Sequence, residues 1–165
     1  MKPGFISLAL LGLLSTGARG QSFPPEKPDQ SIDKLGAVEY LYPEQVSLPS
    51  GKSSAVALHF RIAPGFHINS HNPKDEFLIP TVLSIPGDSG VRLDGATYPP
   101  GAEFVLPADP DTKLSVYTGD FTIQAKLVAD AGDHLVKARL RYQACDKTAC
   151  MPPKTITVPI DVVGK

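Results

Sequence analysis

The segment "AVALHFRIA" (residues 55–63) sets Val56, Leu58, Phe60 and Ile62 on one side and Ala55, Ala57, His59 and Arg61 on the other. A two-residue period builds a strand with one buried face, because successive side chains leave a pleated backbone on opposite sides. The period recurs in "LIPTVLSI" (78–85), "FTIQAKLVA" (121–129), "HLVKARLRYQA" (134–144) and "TITVPIDVV" (155–163). Between these runs stand "APG", "IPGDSG", "YPPGAE", "LPADPD" and "ADAGD", clusters of the residues that make turns. The 17 prolines are spread widely enough to interrupt most long helices. No segment sustains a 3.6-residue apolar period, a heptad pattern or an internal repeat. The pattern predicts an all-β domain of about seven to nine short strands, an immunoglobulin-like antiparallel β-sandwich, with a small closed barrel as its rival. Neither architecture names a function.

The amino-terminal stretch "MKPGFISLALLGLLSTGARGQSF" reads as a secretory signal, against the plainer alternative of a cytosolic chain with an apolar start. Lys2 supplies the positive start, Phe5 to Leu14 the apolar run, and Ala18 and Gly20 the small residues that a signal peptidase inspects. The run is shorter than the roughly 20 apolar residues a bilayer span needs, and no later segment is more apolar, so stable membrane insertion is not expected. Cleavage after Gly20 would leave 145 of the 165 residues, enough for one domain with its own core. Residues 21–36, "QSFPPEKPDQSIDKLG", are rich in Pro and polar residues and read as a flexible lead-in to a domain over 37–165. Without Lys2 and Arg19 the 16 basic residues fall to 14 against 17 acidic ones, a net charge near −3. That balance argues against nucleic acid or an anionic membrane surface as partner.

An exported chain can keep disulfides, and this one has two cysteines, Cys145 and Cys150, in "YQACDKTACMPP" (142–153). In the strand before them Val136, Ala138, Leu140, Tyr142 and Ala144 share the core-directed face. Cys145 falls with Lys137, Arg139, Arg141 and Gln143 on the mostly hydrophilic one. The return strand directs Ile156, Val158, Ile160 and Val162 inward, and "DKTA" supplies the turn between the two. Both cysteines then flank a hairpin tip, where facing Cα atoms are about 4.5–5.5 Å apart, a separation a disulfide tolerates. A loop of about six residues gives such a bond only about 2 kcal/mol of chain-entropy stabilisation. A tip also leaves sulfurs within reach of another protein's thiolate, and Pro152-Pro153 interrupts backbone pairing just beyond. Spacing alone leaves redox exchange, an inert disulfide and a metal clamp all open.

The block "YQACDKTACMPP", with "VYTGDFTI" and "PGFHINSHNP…FLIPT" upstream, resembles the amino-terminal periplasmic domain of the DsbD thiol:disulfide interchange reductases, over roughly residues 37–163. The resemblance implies an immunoglobulin-like fold and a periplasmic location. It also implies dithiol–disulfide exchange, with Cys150 bonding the partner and Cys145 resolving the mixed disulfide. It implies thiol-protein partners and neither a cofactor nor a metal. Electrons would come from a thioredoxin-like or membrane-embedded thiol reductase, here a separate protein because the chain stops at Lys165, and pass to oxidised exported thiol proteins. Cytochrome c assembly is one setting for such exchange, and the residues do not specify it. Four residues separate these cysteines where some relatives have five. Relatives also cover the pair with an aromatic-bearing loop, which by chain order falls in "FVLPADPDTKLSVY" (104–117). The middle of that segment has no aromatic, which leaves Phe104, Leu106, Leu114 or Tyr117 as substitutes.

Supporting roles around the pair are expected for Tyr142, Gln143, Asp146, His67, Asn69 and Pro152. Asp146 and Asp120 would raise a thiol pKa and Lys147 would lower it, unless these charges are merely solvated. His67 lies in "GFHINSH", where it would hydrogen-bond a thiol or stabilise a thiolate; the plainer expectation is a half-exposed histidine at a strand end. Two rival functions remain. One is a copper carrier, since His67, His71, Cys145, Cys150 and Met151 are ligand types that suit Cu(I). The other is a non-catalytic binding module whose disulfide is structural.

Overall fold

In the computed structural model, residues 36–41, 45–87, 89–106 and 109–165 are described. The expected signal over 1–20 and nearly all of the lead-in over 21–36 lie outside them. Twelve strands form among the described residues and no helix. The first six are β1 (Val38–Leu41), β2 (Val46–Leu48), β3 (Ser54–Ile62), β4 (His67–Asn69), β5 (Val82–Ser84) and β6 (Val91–Thr97). They are followed by β7 (Ala102–Leu106), β8 (Asp109–Tyr117), β9 (Asp120–Ala129), β10 (Gly132–Tyr142), β11 (Ala144–Cys145) and β12 (Lys154–Gly164).

The alternating segments became strands where expected, and the period sorted their faces. Val56, Leu58, Phe60 and Ile62 of β3 are buried while Ala55, His59 and Arg61 face solvent. Val136, Ala138, Leu140 and Tyr142 of β10 are each fully buried, as are Val158, Ile160 and Val162 of β12. "LIPTVLSI" departs from expectation, because only Val82–Ser84 pairs as a strand. The count rises above nine through β2, β4, β5 and β11, pieces of two or three residues too short to show a period.

Two four-stranded sheets, in order β1-β3-β9-β6 and β2-β12-β10-β5, direct these side chains into one apolar cluster. Burying each large aliphatic side chain there contributes about 1.5–3 kcal/mol. All pairings are antiparallel except β2 against β12. Pro159, which has no N–H, is tolerated in β12 because β2 pairs only with Val162–Gly164 and leaves that edge open beside the proline.

A third sheet, β11-β4-β8-β7, carries Cys145, to which Cys150 is joined by an isolated antiparallel bridge. An aromatic ladder ties it to the sandwich: Tyr40, Phe60, Phe121 and Tyr117 follow one another at centroid separations of 5.3, 5.1 and 5.0 Å. The Tyr117 hydroxyl donates to the Pro99 carbonyl at 3.0 Å and accepts from the His71 backbone N–H at 3.1 Å, which anchors the ladder's end.

Candidate functional site

The long hairpin β10–β12 runs in register from Gly132↔Gly164 to Tyr142↔Lys154. At Gln143 the chain leaves that sheet. Ala144 and Cys145 then pair with Ile68 and His67 of β4 as the edge strand of the third sheet. This switch corrects the predicted position of Cys145. The cysteine does not end a hydrophilic face; it is only 2% exposed, because the alternation that places Arg139 and Arg141 in solvent stops where the sheet changes. Gln143 holds the crossing. Its side-chain oxygen accepts from Asn69 Nδ2 at 3.2 Å and its Nε2 donates to the Met151 carbonyl at 3.2 Å, while its own carbonyl accepts from the Asn69 N–H.

The turn over Asp146–Ala149 forms as "DKTA" implied. Asp146 Oδ1 accepts from the Thr148 N–H at 2.7 Å, the Thr148 hydroxyl at 2.8 Å and the Ala149 N–H at 2.9 Å. These bonds hold the Asp146 carboxyl down at about 2, so it stays ionised, its Oδ1 occupied by the turn. The Met151 N–H closes the loop onto the Ala144 carbonyl at 2.8 Å. Across it Cys145 and Cys150 form a disulfide with Cα atoms 3.9 Å apart, closer than the expected spacing. The two half-cystines differ in environment: Cys145 is buried, while Cys150 is exposed beside exposed Pro152 and Pro153.

His67 also departs from expectation. It is not half-exposed but 3% exposed, directly opposite Cys145 in the ladder and covered by Phe104, whose ring centroid lies 4.3 Å away. Burial lowers the imidazole pKa from its ordinary value, and the nearby Asp146 charge opposes that shift more weakly. His67, Phe104, Phe66, Ile62, Asp146 and Lys147 line an open groove beside the disulfide. Asn69 is fully buried, and its Nδ2 also donates to the Ile79 carbonyl at 3.1 Å. Tyr142 is buried beneath the crossing. A Cβ at Gly36 (φ 75°) would lie 3.1 Å from its hydroxyl oxygen, so glycine suits both the backbone and the contact.

Other expected participants lie elsewhere. Asp120 is taken by Arg61 at 2.8 Å on the exposed surface. His71, needed for the copper reading, stacks on Tyr98 at 3.7 Å with its Nδ1 2.9 Å from the Thr81 carbonyl. Among the described residues no three His, Cys, Asp or Glu side chains converge as a metal site. Thr148 and Phe66 were not anticipated from sequence. The Asp-x-Thr spacing of a side-chain-capped turn was a legible sign of the first; nothing local marks the second.

The family model for the thiol:disulfide interchange protein DsbD, N-terminal, matches residues 37–161. This chain belongs to that family. The DsbD n-terminal domain of Neisseria meningitidis, solved in the reduced form, aligns at TM-score 0.47 and 20% identity, over 70% of this chain and 82% of that one. The N-terminal periplasmic domain of ScsB from Proteus mirabilis aligns at TM-score 0.50 and 15% identity, over 76% of this chain and 51% of that one. At such identity the ScsB likeness speaks for the fold alone, and with the packed antiparallel sheets and the family it gives an immunoglobulin-like all-β sandwich. No curated protein matches the chain. The segment expected to cover the cysteines in a DsbD N-terminal domain spans β7 and β8, and its residues 107–108 lie outside the described residues. Of the four candidate substitutes, Phe104 is the one that lines the groove and packs on His67.

Proposed function

We propose that this domain is an exported, periplasmic thiol–disulfide exchange module that passes reducing equivalents between thiol proteins through Cys145 and Cys150. The observation that carries the reading is the inequality of the two half-cystines at one edge of the fold, Cys150 exposed and Cys145 2% exposed. Exchange needs one sulfur that meets a partner and a second that is held for the intramolecular step. In the reduced domain, the Cys150 thiolate attacks a disulfide of an oxidised exported protein. A Cys150–partner bond forms, and the partner's other sulfur leaves with the electron pair as a thiolate. Cys145, as a thiolate, then attacks Cys150 Sγ. The intramolecular disulfide forms, and the partner's second sulfur leaves reduced. Two electrons have passed to the partner, and Cys145 and Cys150 are oxidised. The dithiol of a thioredoxin-like or membrane-embedded thiol reductase restores the pair by the reverse sequence. Family membership supports this reading.

Trapping tests it. Cys145→Ala leaves Cys150 able to bond a partner but removes the sulfur that would release it. Mixed disulfides with exported proteins should therefore accumulate on this variant and vanish on reduction. If neither Cys145→Ala nor Cys150→Ala accumulates any, while both fold normally, the exchange function is refuted.

A further inference from the structure

We infer that His67 is the base that takes the proton of the Cys145 thiol when Cys145 resolves the mixed disulfide. The inference rests on the exchange order proposed above and adds the proton path. A thiol must lose its proton before it attacks, and at Cys145 burial keeps bulk water away, so the acceptor has to be part of the protein.

Register places it. Cys145 and His67 are direct partners across antiparallel strands, so their side chains rise from the same face with Cβ atoms about 4.5–5.5 Å apart. The imidazole is enclosed, and its Nε2 is buried with no hydrogen-bond partner among the described residues. A buried polar nitrogen without a partner is costly, and a thiol rising beside it would relieve that cost.

The neighbouring charged groups do not serve. From the loop after β11, the Asp146 carboxyl is held at about 2 by the turn it caps, which makes it too weak a base near neutral pH. Lys147, from the same loop, is exposed and lines the groove as a cation. On β7, next to Phe104, Glu103 is occupied by Lys74 at 3.1 Å and Lys113 at 3.0 Å. Where β3 and β9 approach the groove, Arg61 and Asp120 are paired with each other. From the turn between β8 and β9 the groove receives the uncharged Thr118. His67 differs from all of these. Burial keeps it neutral near pH 7 with a lone pair available, and the Asp146 carboxylate stabilises the imidazolium that proton transfer creates. The step balances: the proton passes from Cys145 Sγ to the imidazole, the Cys145–Cys150 bond forms, the Cys150–partner bond breaks, and the partner sulfur leaves as a thiolate. The imidazolium then returns its proton to solvent or to that sulfur.

The test uses the reduced protein with one equivalent of 5,5′-dithiobis(2-nitrobenzoate), followed by absorbance from pH 5 to 8. The first thionitrobenzoate released reports attack by Cys150, and the second reports resolution by Cys145. In the wild type the second phase should slow as pH falls through the His67 pKa. In His67→Gln it should be at least about tenfold slower at pH 7, in line with a lost general base, and should fall steadily with pH as the thiolate fraction does, without the bend at the His67 pKa, with the first phase within about twofold of wild type. A second phase within twofold of wild type at every pH, or one whose profile still bends at the same pH as the wild type, overturns the inference. Should His67→Gln fail to fold, the midpoint of the wild-type acid limb must coincide with the His67 imidazole titration followed by NMR in the reduced protein; a mismatch overturns it equally. Cys145→Ala separates the two levels. It should release one equivalent at the wild-type first-phase rate, and if it does not, the exchange order itself has failed whatever His67 does.

Discussion

Reducing the Cys145–Cys150 bond should cost the fold little, and the loop it closes sets the ceiling. Six residues run from Cys145 to Cys150 at a sequence separation of 5. The chain-entropy relation for such a loop gives about 7.4 cal/mol/K, or roughly 2.2 kcal/mol at 25 °C. The real figure lies below this, because the Met151-to-Ala144 bond and the three bonds to Asp146 hold the ends together without the sulfurs. For a domain of about 125 residues the unfolding entropy is near 0.26 kcal/mol/K, so the melting temperature should drop by at most about 8 °C. The same coupling runs the other way: whatever the disulfide adds to the fold, the fold adds to the disulfide. At about 30 mV per 1.4 kcal/mol for two electrons, folding lowers the reduction potential by no more than roughly 50 mV. A pair so weakly coupled to the fold stays open to exchange. The assay is urea unfolding of the oxidised protein, the reduced protein and the Cys145→Ala/Cys150→Ala double variant. A loss above about 4 kcal/mol, or unfolding on reduction, would mean the bond is a structural staple and would refute the reasoning.

With only one cysteine present, Cys150 in Cys145→Ala should react with iodoacetamide at least about tenfold faster than Cys145 in Cys150→Ala; equal rates would contradict the burial difference. Phe104→Ala removes the ring that covers His67. It should cost about 1–3 kcal/mol and speed oxidation of the reduced pair by oxidised glutathione, and an unchanged rate would deny Phe104 a covering role. Because burial lowers the His67 pKa, the unfolded chain binds the proton more readily. The wild type should therefore lose stability relative to His67→Gln as pH falls from about 6.5, the unfolded value, through the lower folded one. Parallel melting curves for the two proteins between pH 7 and 5 would show the imidazole is not buried.

The sandwich was legible because the two-residue period is a local signal: Val56 to Ile62 and Val136 to Tyr142 name their own buried face without reference to a partner strand. The third sheet was not. β4 and β11 have three and two residues, and both faces of β4 are buried, so neither piece can show a period. What makes them strands is pairing between positions 76 and 78 residues apart, Ala144 with Ile68 and Cys145 with His67, and no local pattern encodes such a contact. The error at Cys145 follows directly. Carrying the alternation of β10 through Gln143 assumes one continuous strand, whereas Gln143 and Asn69 join the chain to a different sheet there.

That change of sheet is also what makes the pair chemically unequal. A straight continuation of β10 would leave Cys145 in solvent beside Arg141 and Gln143, with both sulfurs open to any thiolate. Crossing at Gln143 turns Cys145 inward opposite His67, which Phe104 covers, while the Asp146 turn carries Cys150 back out to the rim. The directionality of the proposed exchange thus depends on the crossing as much as on the cysteines, and a Gln143→Ala variant that still forms its disulfide but, once reduced, alkylates both thiols at similar rates is what this dependence requires.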